Sequence, residues 1–383
     1  MADAVPAPER TASAGGFANR WRGWRNRLLA SPRFQAWAAA FPLTRPIARR
    51  RSRALFDLCA GFVYSQVLHA FVRLGLHERL ADGPVRGDDL ARGLGMAPDA
   101  LDVLLRAAAA LSLAECDRRG DWHLGVHGAA LRAQPGVIAM IRHHALLYED
   151  LADPVALLRE RGAGTRLGAY WAYAEGGDDA LSVARVRDYT ALMAASQTLV
   201  ADDVLAACDL GRQRRLLDVG GGNGTFLSSV ASRHPHLELA LFDLPPVVDE
   251  ARDHLAAAGL DQRVTLYAGD FSRDPLPVGV DTISLIRVVH DHDDAQALAL
   301  LRRTRDALPR GGRLVLAEPM AGTAGAEPAG DAYFGFYLLA MGQGRPRTEQ
   351  ALRTLLRRAG YGRVDAPRTR NPLLIRVLVA RHD

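Results

Sequence analysis

The chain has 383 residues, 49% of them apolar and 24% charged, the balance of a globular protein with two or more domains and sizeable cores. Cys59, Cys116 and Cys208 are odd in number and far apart, which excludes a disulfide framework or cysteine metal site and points to a reducing, cytoplasmic setting. The first residues lack a signal-peptide core, and no apolar run reaches about 18 residues, so no membrane-spanning helix is expected; the best candidate, Phe62 to Leu76, is broken by His69 and Arg73.

The net charge of +5 conceals an asymmetry. Every basic residue other than His is Arg, and residues 1–53 hold 11 of them against Asp3 and Glu9, leaving the remainder of the chain negative. Residues 1–19, rich in Ala, Pro, Gly and Ser, are predicted to be disordered. Residues 20–53 mix Arg with Trp21, Trp24, Leu28, Leu29, Phe34, Trp37 and Phe41 and close on Arg49, Arg50 and Arg51. Trp and Arg at helical spacing suit a membrane interface, where rings sit among headgroups and Arg meets phosphate. The competing reading is an arm packed on its own domain or on a second subunit.

Residues 54–200 are predicted mostly helical, with apolar residues three and four apart. A short helix around Asp88 to Leu94, a turn at Gly95, a second helix from Asp99 and a hairpin near Ala114 to Leu124 give a winged-helix-like layout. The second helix is filled with Leu and Ala and offers mainly Arg106, whereas a groove-reading helix needs several polar side chains. A structural or dimerisation role is therefore expected, and no nucleic acid.

From 201 to 383, strand-like runs alternate with helical ones. The strands are Arg215–Val219, Leu237–Phe242, Val264–Ala268, Asp281–Val289 and Arg313–Ala317; the helices include Thr225–Arg233, Val247–Ala258 and Asp294–Ala307. This alternation predicts an α/β domain with a parallel sheet covered on both faces. Two last runs near Gly362–Ala366 and Leu373–Ala380 predict a final hairpin, hence a seventh strand and an antiparallel edge.

The chemistry gathers at the strand ends. Asp218 ends the first strand and Gly220, Gly221, Gly222, Asn223 and Gly224 follow, a turn that lets backbone approach a ligand closely. The next strand ends in Asp243 and Leu244, 19 residues beyond Gly224 in the case of the carboxylate, which can take both ribose hydroxyls of an adenosine. A nicotinamide fingerprint wants a third Gly where Thr225 stands, so the spacing favours S-adenosylmethionine. Asp270 can hydrogen-bond an adenine amino group and Phe271 can stack on the ring. His290 follows the fourth strand, where a reacting group belongs, and Glu318, from the neighbouring strand, can fix its tautomer. No carboxylate cluster or His/Cys spacing argues for a metal.

The runs DVGGGNG, FDLP, GDF, RVVHDHDD and AEPM, in that order, resemble the motifs of the plant-caffeate-type O-methyltransferases and their bacterial relatives. The resemblance covers roughly residues 54–383. It implies a class I methyltransferase fold, Rossmann-like, behind an N-terminal helical, winged-helix-like dimerisation domain, and a homodimer. It places cofactor contacts on Gly220, Asp243, Asp270, Phe271 and Arg287, the catalytic base on His290 steadied by Glu318, and substrate contacts on Tyr189, Met193 and Asp291, with Ser196 on the same covering helix. The segment Arg33 to Leu68 is similar to the start of the purple-bacterial carotenoid methyltransferases, which methylate a tertiary 1-hydroxyl of an acyclic carotenoid. That narrower likeness implies a lipophilic substrate and suits an arm touching the photosynthetic membrane.

Two departures stand out. His292 replaces the Trp usual after His-Asp. Pro346 holds the place where the family often carries a second glutamate beside the base, so that carboxylate is missing or comes from elsewhere. Two alternatives remain open at this stage: the same fold acting on a phenol, polyketide or bacteriochlorophyll-type acceptor, and a DNA-binding regulator with a degenerate methyltransferase sensor, whose signature would be duplex affinity falling steeply with salt.

Overall fold

The computed structural model describes residues 15–172, 194 and 197–383; Tyr189, Met193 and Ser196 lie outside the described residues. The described residues form two compact units, divided between Leu68 and His69. The first carries α1 (Gly15–Ala30), α2 (Pro32–Ala40) and most of α3 (Arg45–Arg73). Ser31 caps α2 by accepting from Phe34 N, and Pro32 supplies the preset φ of a first helical turn. Trp21 stacks on Trp24 with ring centroids 4.9 Å apart, and Trp37 on Phe41 at 5.3 Å. Trp21, Trp24 and Trp37 are 54%, 48% and 52% exposed. Helix α3 has 29 residues and an 18-residue window of mean hydropathy 1.4, so by length and composition it is apolar enough to cross a membrane; His69 and Arg73 do not interrupt it as a helix.

In the second unit, α4 (Leu76–Arg79) leads to β1 (Val85–Arg86), α5 (Gly87–Leu94) and α6 (Pro98–Ala110). Gly95, at φ +63°, ends α5 in the left-handed conformation that favours glycine, and Pro98 opens α6. The hairpin β2 (Ala114–Cys116) and β3 (Asp121–Leu124) pairs with β1 in the order β1-β3-β2. Leu101, Leu105 and Ala108 bury one stripe of α6, while Arg106 pairs with Asp102 one turn back at 2.6 Å. Helices α7 (Val126–Arg132), α8 (Pro135–Asp150), α9 (Pro154–Glu160) and α10 (Arg166–Ala172) follow.

The remaining strands are β4 (Arg215–Val219), β5 (Glu238–Asp243), β6 (Val264–Ala268), β7 (Thr282–Ile286), β8 (Arg313–Glu318), β9 (Val364–Asp365) and β10 (Arg376–Arg381), in the order β6-β5-β4-β7-β8-β10-β9. The first five named are parallel; β10 runs antiparallel to both β8 and β9, as the hairpin expectation required. Side chains alternate between two cores, as a strand's period of two dictates. Leu217, Val219, Leu314 and Leu316 face one cluster with α13 (Asp294–Ala307) and α15 (Glu349–Arg358). Leu216, Val315 and Ala317 face the other, with α11 (Thr225–Arg233) and α12 (Pro245–Ala257). Helix α14 (Phe334–Met341) follows a π-helical turn over Pro328–Tyr333 and packs with α8, α9 and α10.

One strand is shorter than its sequence pattern. The apolar run predicts a strand to Val289, but β7 stops at Ile286 because Arg287 adopts φ +61° and Val289–Asp291 form a 3₁₀ turn. Leu285, fully buried in the middle of β7, is the natural probe of the sheet. Leu285→Ala is expected to cost about 2–5 kcal/mol of stability, read as a fall in the midpoint of chemical denaturation.

Candidate active site

The parallel strands bring their carboxyl ends to one edge, and the order reverses between β4 and β7, the crevice where open α/β sheets bind ligands. After β4 the backbone turns through Gly220 (φ +69°) and Gly222 (φ +59°). A Cβ on Gly220 would come within 2.8 Å of Val288 Cγ2, whereas one on Gly222 would meet nothing within 4 Å. The turn is thus pressed against the end of β7 on one side and open on the other.

Asp243 closes the turn. Gly222 N and Leu244 N each donate to one of its carboxylate oxygens at 2.8 Å. Burial pushes its carboxyl up to about 6 despite those two hydrogen bonds. Asp218 sits beneath the turn rather than at its mouth: it is buried, accepts from Ser284 Oγ at 2.5 Å, and is pushed up to about 7 by burial, with Asp243 adding to the rise. Asp270, at the end of β6, is partly exposed and accepts from Ser272 N at 2.8 Å; hydrogen bonds from Ser272 and the positive charges of Arg273 and Arg303 outweigh its partial burial and hold it below the usual carboxylate range. The Phe271 ring meets His292 edge-on at 5.2 Å, so the residue standing where the family has Trp supplies an aromatic neighbour for Phe271.

These features fit an adenosyl cofactor. A half-buried carboxylate retains lone pairs for ribose hydroxyls, the glycine turn leaves open space above Gly222, and Asp270 and Phe271 stand on the adjacent strand end.

The candidate acid–base residues lie in the turn after β7 and at the end of β8. His290 is 7% exposed and Glu318 2%. One oxygen of Glu318 accepts from His290 Nδ1; the other accepts from Val288 N at 3.2 Å and Val289 N at 2.7 Å. On the far side of the ring, Nε2 lies 3.0 Å from Asp291 Oδ1. Asp291, expected from sequence to face the substrate, therefore supplies a carboxylate on the side of the imidazole that Pro346 leaves unserved. Burial works against a charged ring here, but Asp291 and Glu318 outweigh it and push His290 up to about 10. Arg287, in its left-handed conformation, donates its backbone N–H to Ala317 O at 2.8 Å, and its charge bears on the phenols of Tyr333 and Tyr337. Phe334 lies 6.1 Å from the His290 ring. A ring oriented by one carboxylate and faced by another can exchange a proton with a hydroxyl brought to Nε2.

Sequence reasoning missed three residues of this region. Ser284, the donor to Asp218, reads as one more strand residue. Arg347, buried against the His290 turn, and Gly344, whose Cβ would collide with His290 O, lie in the run Gly344–Thr348, which the sequence marks for the family's Arg-Thr pair and for Pro346 without giving either residue a role.

Comparison with known proteins places the chain. The O-methyltransferase domain model matches residues 148–362 and the O-methyltransferase dimerisation domain model residues 56–130. The demethylspheroidene O-methyltransferase of Cereibacter sphaeroides is 45% identical over 338 residues, covering 88% of this chain and 89% of its own. That of Rhodobacter capsulatus is 42% identical over 354 residues, covering 92% and 88%. Among solved structures, the S-adenosylmethionine-dependent methyltransferase SibL superposes with a TM-score of 0.69 at 27% identity, covering 86% of this chain and 98% of its own. The chain belongs to the O-methyltransferase family of S-adenosylmethionine-dependent enzymes, with the class I methyltransferase fold. Its dimerisation domain fits a homodimer.

The charge on His290 links the site to stability. Its folded value lies above the unfolded value of roughly 6.5, so its contribution is fully present below that pH and is lost as pH rises through about 10. His290→Gln is expected to flatten the fall in denaturation midpoint between about pH 7 and 10 relative to the parent; parallel curves would contradict the assignment.

Proposed function

We propose that this chain methylates the tertiary 1-hydroxyl of an acyclic carotenoid of the demethylspheroidene or hydroxyneurosporene type, with His290 as the general base. One observation carries the chemical part: a buried imidazole, oriented by Glu318, stands across the Gly220–Val288 contact from the glycine turn that Asp243 closes. The acceptor is supported by the two relatives named demethylspheroidene O-methyltransferase, which match this chain nearly end to end. In this reading residues 201–383 are the methyltransferase domain, 54–200 the dimerisation domain and 1–53 a basic arm.

Bound at the turn, S-adenosylmethionine would supply an electrophilic sulfonium methyl and, as its S–CH3 bond is lost, a neutral thioether as the leaving group. Gly220, Gly222, Asp243, Leu244, Asp270, Phe271 and Arg287 would hold it, with Asp218 bracing the turn from below. A tertiary alcohol is too weak an acid to ionise by itself, so its proton must leave as the C–O bond forms. His290 Nε2 takes that proton, an effect typically worth ~10²–10⁴-fold. In the resting protein Asp291 faces this nitrogen. A hydroxyl that displaces Asp291 removes one of the two carboxylates holding the imidazolium, and so favours the neutral ring that the chemistry requires. Glu318 keeps the proton on Nδ1 and stabilises the ring when it charges.

Such an acceptor resides in a bilayer, and we place the enzyme in the cytoplasm, touching the membrane peripherally through the arm. From Arg10 to Arg53 the arm carries 11 Arg and no acidic residue, alongside the half-exposed Trp21, Trp24 and Trp37. The apolar length of α3 is read as subunit surface rather than a span, because the dimerisation model begins within it at residue 56.

The test offers labelled S-adenosylmethionine with a 1-hydroxycarotenoid, a simple phenol and a bacteriochlorophyll precursor, each in detergent and in anionic vesicles. Label in a carotenoid methyl ether is expected; label confined to another acceptor contradicts the substrate assignment. His290→Gln is expected to lose at least ~10²-fold in turnover while still binding S-adenosylmethionine. Replacing Trp21, Trp24 and Trp37 by Ser is expected to depress transfer from vesicles but not from detergent; equal activity in both removes the membrane role of the arm.

A further inference from the structure

The turn that carries His290 is held from two opposite sides. Its N–H groups are taken by Glu318, as described. Its carbonyls point the other way and are taken by a segment 55 residues further along. Arg347 Nη1 donates to Val289 O at 2.7 Å and Nη2 to His292 O at 2.7 Å, while Arg345 N donates to His290 O at 2.8 Å. Arg347 is only 4% exposed, and its Nε also donates to Asp294 Oδ1 at 2.9 Å, at the first turn of α13. One guanidinium thus joins both ends of the turn to the helix that follows it.

The segment lies flush against the turn. Gly344 has φ +77°, and a Cβ there would stand 2.2 Å from His290 O and 2.6 Å from the carbonyl carbon of Asp291. It is also tied to the exit of β8: Ala321 N donates to Arg347 O at 3.0 Å, and Ala321 and Thr348 form a parallel bridge. The backbone of Arg347 is therefore anchored at Ala321, just past the end of the strand that carries Glu318.

We propose that Arg347 is a positioning residue for the methyl transfer, fixing the backbone of Val289–His292 so that His290 Nε2 stands where the acceptor proton is removed. The charge and fork geometry both matter: three N–H groups of one rigid plane reach two carbonyls and a carboxylate, which a Lys ammonium cannot reproduce in full. Arg347 makes no contact with the glycine turn, Asp243 or Asp270 among the hydrogen bonds it forms, so cofactor affinity is separable from turnover.

The inference rests on the reading of His290 as the base, and its test keeps the two apart. Arg347→Met, Arg347→Lys and His290→Gln are assayed with S-adenosylmethionine and a 1-hydroxycarotenoid, and kcat is expressed per cofactor-binding site counted by calorimetric titration, so unfolded protein does not enter. Arg263→Met serves as control: Arg263 likewise grips backbone carbonyls, those of Ala231 and Pro235, at the opposite end of the strands. A misplacement of the ring by an ångström is expected to cost about 10²-fold in kcat for Arg347→Met, with the dissociation constant for S-adenosylmethionine within about twofold of the parent. Arg347→Lys is expected to recover part of the loss, and Arg263→Met to leave kcat per site unchanged. Full kcat per site in Arg347→Met, or an equal loss in Arg263→Met, overturns the positioning role. If His290→Gln keeps full turnover, both readings fall; if it loses turnover while Arg347→Met does not, only the role of Arg347 falls.

Discussion

The carboxylate of Glu318 is the point on which the rest of the site depends. It accepts from His290 Nδ1, Val288 N and Val289 N while almost wholly excluded from solvent. A buried charge of this kind is tolerated only when its lone pairs are filled, and removal of a partner would leave it uncompensated. The strand pairing makes the arrangement possible. Ile286 is in register with Ala317, and Arg287 N continues the ladder to Ala317 O, so β8 runs just far enough to set Glu318 against the turn where β7 has ended. The unfavourable left-handed conformation of Arg287 is the local cost of that turn.

From this point the two halves of the chemistry are joined through packing. Val288, whose N–H is held by Glu318, also presses its methyl against Gly220 of the cofactor turn. Any side chain at Gly220 would push on the segment that positions His290. The five parallel strands thus do more than gather residues at one edge: β4 and β7, adjacent across the reversal of strand order, set the glycine turn so close to the turn that carries His290 that a Cβ on Gly220 would meet Val288.

Much of this was legible in the sequence, and the exceptions have physical reasons. Asp243, Asp270, His290 and Glu318 stand out as candidates in the sequence because each ends or follows an apolar strand, and strand ends share one edge of a parallel sheet. The winged-helix-like layout was legible from Gly95, Pro98 and the spacing of Leu101, Leu105 and Ala108. The end of β7 was misjudged because Val288 and Val289 are buried in a turn as fully as they would be in a strand, and burial is what the pattern reports. That Asp291 also faces Nε2 is not legible in sequence, because the approach depends on a 3₁₀ turn that composition does not encode. Arg347, in the Arg-Thr pair beside Pro346, gets no role from sequence for a related reason: an Arg in a loop ordinarily belongs to solvent, and only the tertiary fold shows which carbonyls it meets.

The central claim is that Asp291 and Glu318, one at each ring nitrogen, hold the charge of His290, and that Glu318 orients the ring. Nitrogen-15 NMR of the histidine rings, in the ligand-free protein and in Glu318→Gln, measures this most directly. The account expects one ring that stays protonated on both nitrogens well above the ordinary value of about 6.5 in the parent and that loses its second proton at lower pH in the variant, where Asp291 alone remains beside it. A spectrum in which every histidine titrates at or below that ordinary value in both proteins would contradict it.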